Sequence, residues 1–142
     1  MNQPPPVSSP FDDLVGTELV EVSGSKVVAR LPVTERLYQM VGLVHGGVYA
    51  TVIESVASVG ASAWLVESEN AAGRPARIGE AYAVGISNHT DFIKATTDGT
   101  LTFTATPIQQ GRLLQTWMIE VHNDAGTLVA HGNVKLANRP RK

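Results

Sequence analysis

The sequence predicts an α+β domain in which a curved antiparallel sheet of about six strands wraps around one long central helix. Three observations lead there. A nearly uncharged run from His45 to Val66 has the length of a long helix and holds a single acidic residue, Glu54, with no Lys or Arg. Segments before and after it alternate apolar and polar residues with a period of two. Clusters of Gly, Asn, Asp and Ser then separate those segments as turns.

In chain order, residues 1–15 read as a disordered tail stiffened by proline, and 16–140 as the folded domain. Met1–Pro10 has neither a basic start nor an apolar stretch, so it is not a signal peptide. Thr17–Val22 and Lys26–Val33 are expected strands, joined by a Ser23-Gly24-Ser25 turn. Thr34 is placed to cap one helical turn at Glu35-Arg36. Gly42 and Gly46-Gly47 bracket the start of the long helix, and Glu67–Pro75 reads as a polar loop broken by Asn70, Gly73 and Pro75. Ala76–Phe92 is a long strand whose Gly79 and Gly85 suggest a bend, a bulge or close approach of a ligand. Thr100–Thr106 alternates cleanly, and Arg112–His122 pairs with Thr127–Leu136 through the turn Asn123-Asp124-Ala125-Gly126. A helix this uniformly apolar has no solvent face. The curling sheet and a second subunit, in a homodimer or homotetramer, would cover it.

Composition narrows the function. With 142 residues, 43% apolar and 17% charged, the chain is one globular domain. A net charge of −2 gives no reason for a nucleic-acid or anionic-membrane partner. The absence of Cys removes disulfides, thiolate nucleophiles and Cys-containing metal sites, and fits a cytoplasmic protein. Val48–Val66 nearly reaches membrane-span length, but Glu54, Thr51, Ser55, Ser58, Ser62 and Gly60 argue against insertion. His89, His122 and His131 lie in strand patterns without ligand spacing, so no metal is expected. No Gly-x-Ser-x-Gly elbow, Gly-x-Gly-x-x-Gly turn or Walker pattern occurs.

Glu54 therefore carries the question of function. A carboxylate in an apolar helix must be paired, be neutralised, or be kept for chemistry. Glycines at the helix start admit a ligand, and first-turn amides have no intrahelical acceptor. With the positive end of the helix dipole they suit a developing oxyanion. At 3.6 residues per turn, Gly47, Ala50, Glu54 and Ser58 or Ala61 share a stripe of small residues, and Ser58 can hydrogen-bond the carboxylate. Plain close packing, with Glu54 paired to an Arg of the sheet, explains the same features and stays open.

Gln39, then His45-Gly46-Gly47 six residues on, Glu54 nine after His45, and Ser58 four later together resemble the hotdog-fold acyl-CoA thioesterases. More narrowly they are similar to the branch with the phenylacetate-pathway, 4-hydroxybenzoyl-CoA and enterobactin-proofreading enzymes. Gly111-Arg112 and Gln115-Thr116-Trp117 resemble that branch's penultimate strand. The resemblance implies a thioester hydrolase with Glu54 as nucleophile or general base and the Gly46 amide on the thioester oxygen. Gln39 and His45 would position the carbonyl, and Ser58 would orient the attacking water. It also implies that Gly47 contacts the substrate and that the stretch Gly85-Ile86-Ser87-Asn88 lines the ligand, often across a subunit boundary.

Coenzyme A would arrive as part of the substrate, so no cofactor is expected. Among Lys94, Arg74, Arg77 and Arg112, the last is best placed for its phosphates. Tyr49, Trp64, Tyr82 and Phe92 are possible walls of the acyl pocket, which aryl, hydroxyaryl and medium-chain groups all fit. Two departures stand out: the loop after the helix is longer than usual, and His89–Ala95 keeps only part of the branch's strand pattern. A hotdog hydratase or dehydratase, or a non-catalytic acyl-CoA-binding protein, are the alternatives.

Overall fold

A computed structural model of the chain describes residues 8–139. The elements run α1 (Pro10–Val15), β1 (Glu18–Val22), β2 (Val27–Pro32), a 3-10 turn (Glu35–Leu37), α2 (Gly46–Ala71), β3 (Tyr82–Phe92), β4 (Thr100–Gln110), β5 (Leu114–His122) and β6 (Leu128–Arg139). The strands form one sheet in the order β1-β2-β4-β5-β6-β3, every neighbouring pair antiparallel, with β1 and β3 at its edges.

Period-two alternation places the core. Val27, Ala29 and Leu31 of β2, Leu101, Phe103 and Ala105 of β4, and Trp117, Ile119 and Val121 of β5 are fully buried on one face. Against that face α2 lays Tyr49, Val52, Ile53, Val56, Ala57 and Ala61. The two surfaces meet closely at Gly60, where a Cβ would stand 2.6 Å from the Trp117 ring and 3.0 Å from Val27. Trp117 is itself held by a buried polar chain. Its indole donates to Gln115 Oε1 (2.9 Å), and Gln115 Nε2 donates to the Ala61 carbonyl (3.1 Å) and to Asn138 Oδ1 (2.8 Å). No group of that chain is left unpaired, so the network ties helix to sheet without a desolvation penalty.

Several boundaries differ from expectation, and four of them bear on how helix and sheet are placed. The tail expected through residue 15 contains α1; residues 1–7 of it lie outside the described residues. Ser9 caps this helix, Pro10 opens it, and Asp12 accepts a hydrogen bond from Ser55 of α2 at 2.7 Å. The helix α2 continues through the expected loop to Ala71, because Glu67 reaches the β1–β2 turn and accepts from the Gly24 amide at 2.8 Å. The strand expected from Ala76 begins only at Tyr82, since Gly79 is left-handed at φ +99. Strand β4 runs on to Gln110 through a register shift at Pro107/Gln109. From Val48 to Val66 no residue of α2 is exposed, α1 flanking one side and β3 the other.

Gly60→Ala should destabilise the fold by roughly 1–3 kcal/mol of overpacking, less the ~1 kcal/mol that Ala regains over Gly in a helix. Urea unfolding should show a lower midpoint at unchanged slope. A midpoint at or above that of the parent protein would contradict the close seating of α2.

Candidate active site

Helix α2 runs antiparallel to β3, so each level of the helix has its own partner on that strand. Ser62 Oγ accepts from the Ala83 amide (3.1 Å), Glu54 abuts Gly85, and the Ala50 carbonyl accepts from Asn88 Nδ2 (3.0 Å). At the helix start Gly46 abuts the ring of Phe92. The structure thus brings Glu54, Ser58, Gly85 and Asn88 into one row along the open edge of the sheet.

Glu54 is half-buried rather than fully enclosed. Ser58 Oγ donates to its Oε1 at 3.3 Å, as the i, i+4 spacing predicts. No cation lies within ion-pair distance of it among the described residues. The structural alternative, an Arg from the sheet, is therefore not what holds it. A Cβ on Gly85 would stand 2.1 Å from Glu54 Oε1. The same glycine begins a register shift, Gly85 facing Leu136 while Ser87 faces Lys135, so Ile86 is the extra residue of a bulge. Ile86, Ser87 and Asn88 are exposed on this edge.

The helix start divides its donors. His45 is the N-cap, and its Nδ1 accepts from the Gly47 amide at 2.8 Å. That bond fixes the imidazole with an unprotonated Nδ1. Val48 donates to the His45 carbonyl, and the Gly46 amide has no acceptor among the described residues. Gln39, whose own Oε1 accepts from the Val41 amide, lines a cleft of about 300 Å³ together with Gly46, Tyr49 and Phe92. A larger cleft of about 650 Å³ opens on the opposite flank, between α1 and the helix start, with His45, Gly47 and Thr51 in its wall.

Two predicted groups fall elsewhere. Arg112 is exposed in the β4–β5 turn, at the end of the sheet away from Gly46, its carbonyl accepting from Asn138 Nδ2. Of the possible wall aromatics, Tyr49 and Phe92 line the smaller cleft, while Trp64 packs beneath the Gly24 turn. Among the described residues no three His, Asp or Glu side chains gather as a metal set.

A free amide at a helix start is a group that can polarise a carbonyl, and an unpaired carboxylate beside a glycine bulge is one that can attack it. Residues 41–130 match the Thioesterase superfamily. The chain belongs to that superfamily. It is 38% identical over 132 residues to the Mycobacterium tuberculosis protein Rv1847, covering 93% of this chain and 88% of that one. The solved structure of Rv1847 superposes with a TM-score of 0.83, covering 94% and 99% of the two chains at 36% identity. The 1,4-dihydroxy-2-naphthoyl-CoA hydrolase of Listeria monocytogenes is 26% identical over 132 residues, covering 93% and 98%. The Escherichia coli PaaI protein, at 18% identity, shares the fold with a TM-score of 0.78 over 94% and 87%. The curved six-stranded sheet around one helix is thus the hotdog fold, and the chain is a thioester-hydrolysing enzyme of that superfamily.

Gly85→Ala should displace the Glu54 carboxylate by about an ångström and lower thioester hydrolysis about a hundredfold, with little change in thermal unfolding. Parent-level thiol release from the folded variant would show that Glu54 need not sit against the bulge.

Proposed function

We propose that this enzyme hydrolyses the thioester of a small-molecule acyl-CoA to free acid and thiol, with Glu54 as nucleophile or as general base on water. The observation that carries the reading is Glu54 itself: a half-buried carboxylate with no cation beside it among the described residues, hydrogen-bonded by Ser58 and set against the bulged strand at Gly85. As nucleophile it attacks the carbonyl carbon and expels the thiolate, and water opens the resulting anhydride. As base it takes a proton from a water that attacks the same carbon. In either route the oxygen becomes an oxyanion on the Gly46 amide, and Ser58 holds the carboxylate or its water. Coenzyme A enters as part of the substrate and no resident cofactor is invoked. We assign the cytoplasm as its compartment.

Helix geometry divides this machinery between two copies. Gly46 and Glu54 are eight residues apart, about 12 Å along the axis. The Glu54 carboxylate bonds Ser58, one turn further on, so it does not reach back toward Gly46. One carbonyl, about 1.2 Å long, cannot touch both groups of a single chain. A two-fold axis near Ala50 and Asn88, pairing the free β3 edges, sets Glu54 opposite the partner's Gly46, because the axis lies four residues from each. The exposed Ile86, Ser87 and Asn88 then line the ligand between subunits. The same axis turns the far end of the sheet, with Arg112, toward the partner's helix start, where it is placed for the coenzyme A phosphates.

Thiol release from a panel of acyl-CoAs, followed with a thiol-reactive dye that the Cys-free protein cannot quench, tests both statements. Glu54→Gln should remain folded and lose orders of magnitude in rate. Gly46→Pro should also be inactive, since proline suits the first helical position yet has no N–H. Mixed dimers of the two variants rebuild one complete site and should regain activity. No regain on mixing would place the site within one chain, and full activity of Glu54→Gln would remove the mechanism.

A further inference from the structure

The first turn of α2 holds a second group without a partner. The hydroxyl of Tyr49 is buried and makes no hydrogen bond among the described residues, and the residue is only 4% exposed. A buried hydroxyl left unpaired is destabilising, and such groups in folded proteins call for an explanation. A long side chain in a helix leans back over the preceding turn. That carries the Tyr49 ring toward Gly46, three residues earlier on the same face. Phe92 confirms the placement: its ring tip stands 3.0 Å from where a Gly46 Cβ would be, and its centroid is 6.1 Å from that of Tyr49. Tyr49, Gly46 and Gln39 line one cleft.

We propose that the Tyr49 hydroxyl is a second donor to the thioester carbonyl oxygen, beside the Gly46 amide, which makes Tyr49 a catalytic residue of the acyl-CoA hydrolysis inferred above. A carbonyl oxygen accepts along two lone-pair directions, and the oxyanion formed from it gains most from two fixed donors in a site closed to water. A phenol is a neutral donor at pH 7. The Phe92 ring, 60% exposed at the end of β3, packs beside both Tyr49 and Gly46 at this corner. The arriving carbonyl displaces it and supplies the acceptor that the hydroxyl lacks. Because charge grows on the oxygen as the thioester is attacked, the bond strengthens in the transition state and bears on kcat more than on KM.

Tyr49→Phe in the intact assembly keeps the ring and its contact with Phe92 and removes only the hydroxyl. With the best acyl-CoA of the panel, kcat should fall ~100-fold or more, KM should change little, and the melting temperature should hold or rise. Two probes that cannot be hydrolysed separate this inference from the one it rests on: phenacyl-CoA, which keeps a carbonyl, and phenethyl-CoA, which lacks one. The parent protein should bind phenacyl-CoA more tightly, and Tyr49→Phe should erase that preference. A kcat within threefold of the parent overturns the proposal. So does a carbonyl preference that survives in the variant, or one that is absent from the parent. If the parent releases no thiol from any acyl-CoA while the carbonyl preference behaves as expected, hydrolysis fails and the Tyr49 contact stands.

Discussion

The seat of α2 in the sheet is the constraint on which the rest of the molecule depends. A 26-residue helix with an almost unbroken apolar middle cannot face water along its length. The sheet covers it by curving, and the two meet where Gly60 admits Trp117 and where Gly132 admits Ile53, whose Cγ2 would be 2.8 Å from an added Cβ. Contacts this close leave one axial position for the helix. That position is what sets Ser62 on Ala83, Glu54 on Gly85, Ala50 on Asn88 and Gly46 on Phe92. The site is thus a consequence of core packing. A slip of one helical turn, about 5.4 Å, would break the seat and every functional pairing together.

The same seating leaves Glu54 beside an unpaired edge of the sheet. Strand β3 is an edge of 11 residues with one side unpaired, and Ile86, Phe92 and Ile93 are exposed on or beside it. Natural edges are usually shortened, charged or covered, and this one is long and carries Asp91 as its one carboxylate. Its bulge at Gly85 twists the strand at the level where Glu54 emerges. In the two-fold arrangement proposed above, the open edge, the carboxylate beside its bulge and the donor two helical turns away become parts of one site.

Much of this was legible in residue order, and the exceptions have physical causes. Period-two burial in β2, β4 and β5, the glycine-marked start of α2 and the Glu54–Ser58 pair are local patterns, and the structure carries them as read, whereas Thr34 makes no side-chain cap bond at its 3-10 turn and the cap of α2 is His45. Of the bend, bulge or ligand approach expected at Gly85, the structure shows the bulge, and the group that approaches the glycine is the Glu54 side chain. The helix α1 had a signal in Ser9-Pro10 and Asp12-Asp13, hidden by the neighbouring prolines. What fixes it is Asp12 on Ser55, 43 residues away. The extension of α2 to Ala71 likewise depends on Glu67 meeting Gly24, 43 residues earlier. Tyr49 reads as core in any helical pattern. Its place beside Phe92, without a hydrogen-bond partner among the described residues, distinguishes it from an ordinary buried aromatic.

The electrostatics of Glu54 bear on why it is there at all. A carboxylate kept for stability finds a cation, as Glu69 does with Arg74 at 2.9 Å on the surface. Glu54 has a serine and a strand backbone, neither of which neutralises it. While half-buried it retains part of its hydration, so its burial is tolerated without a counter-charge. On the function proposed above, a ligand seated against a second subunit removes that water. Attraction between the carboxylate and the electrophilic carbonyl carbon then acts in a lower effective dielectric. The group is least satisfied when a substrate is present, which is when an attacking oxygen is needed. A paired glutamate at this position would be less available for the proposed role as nucleophile or general base.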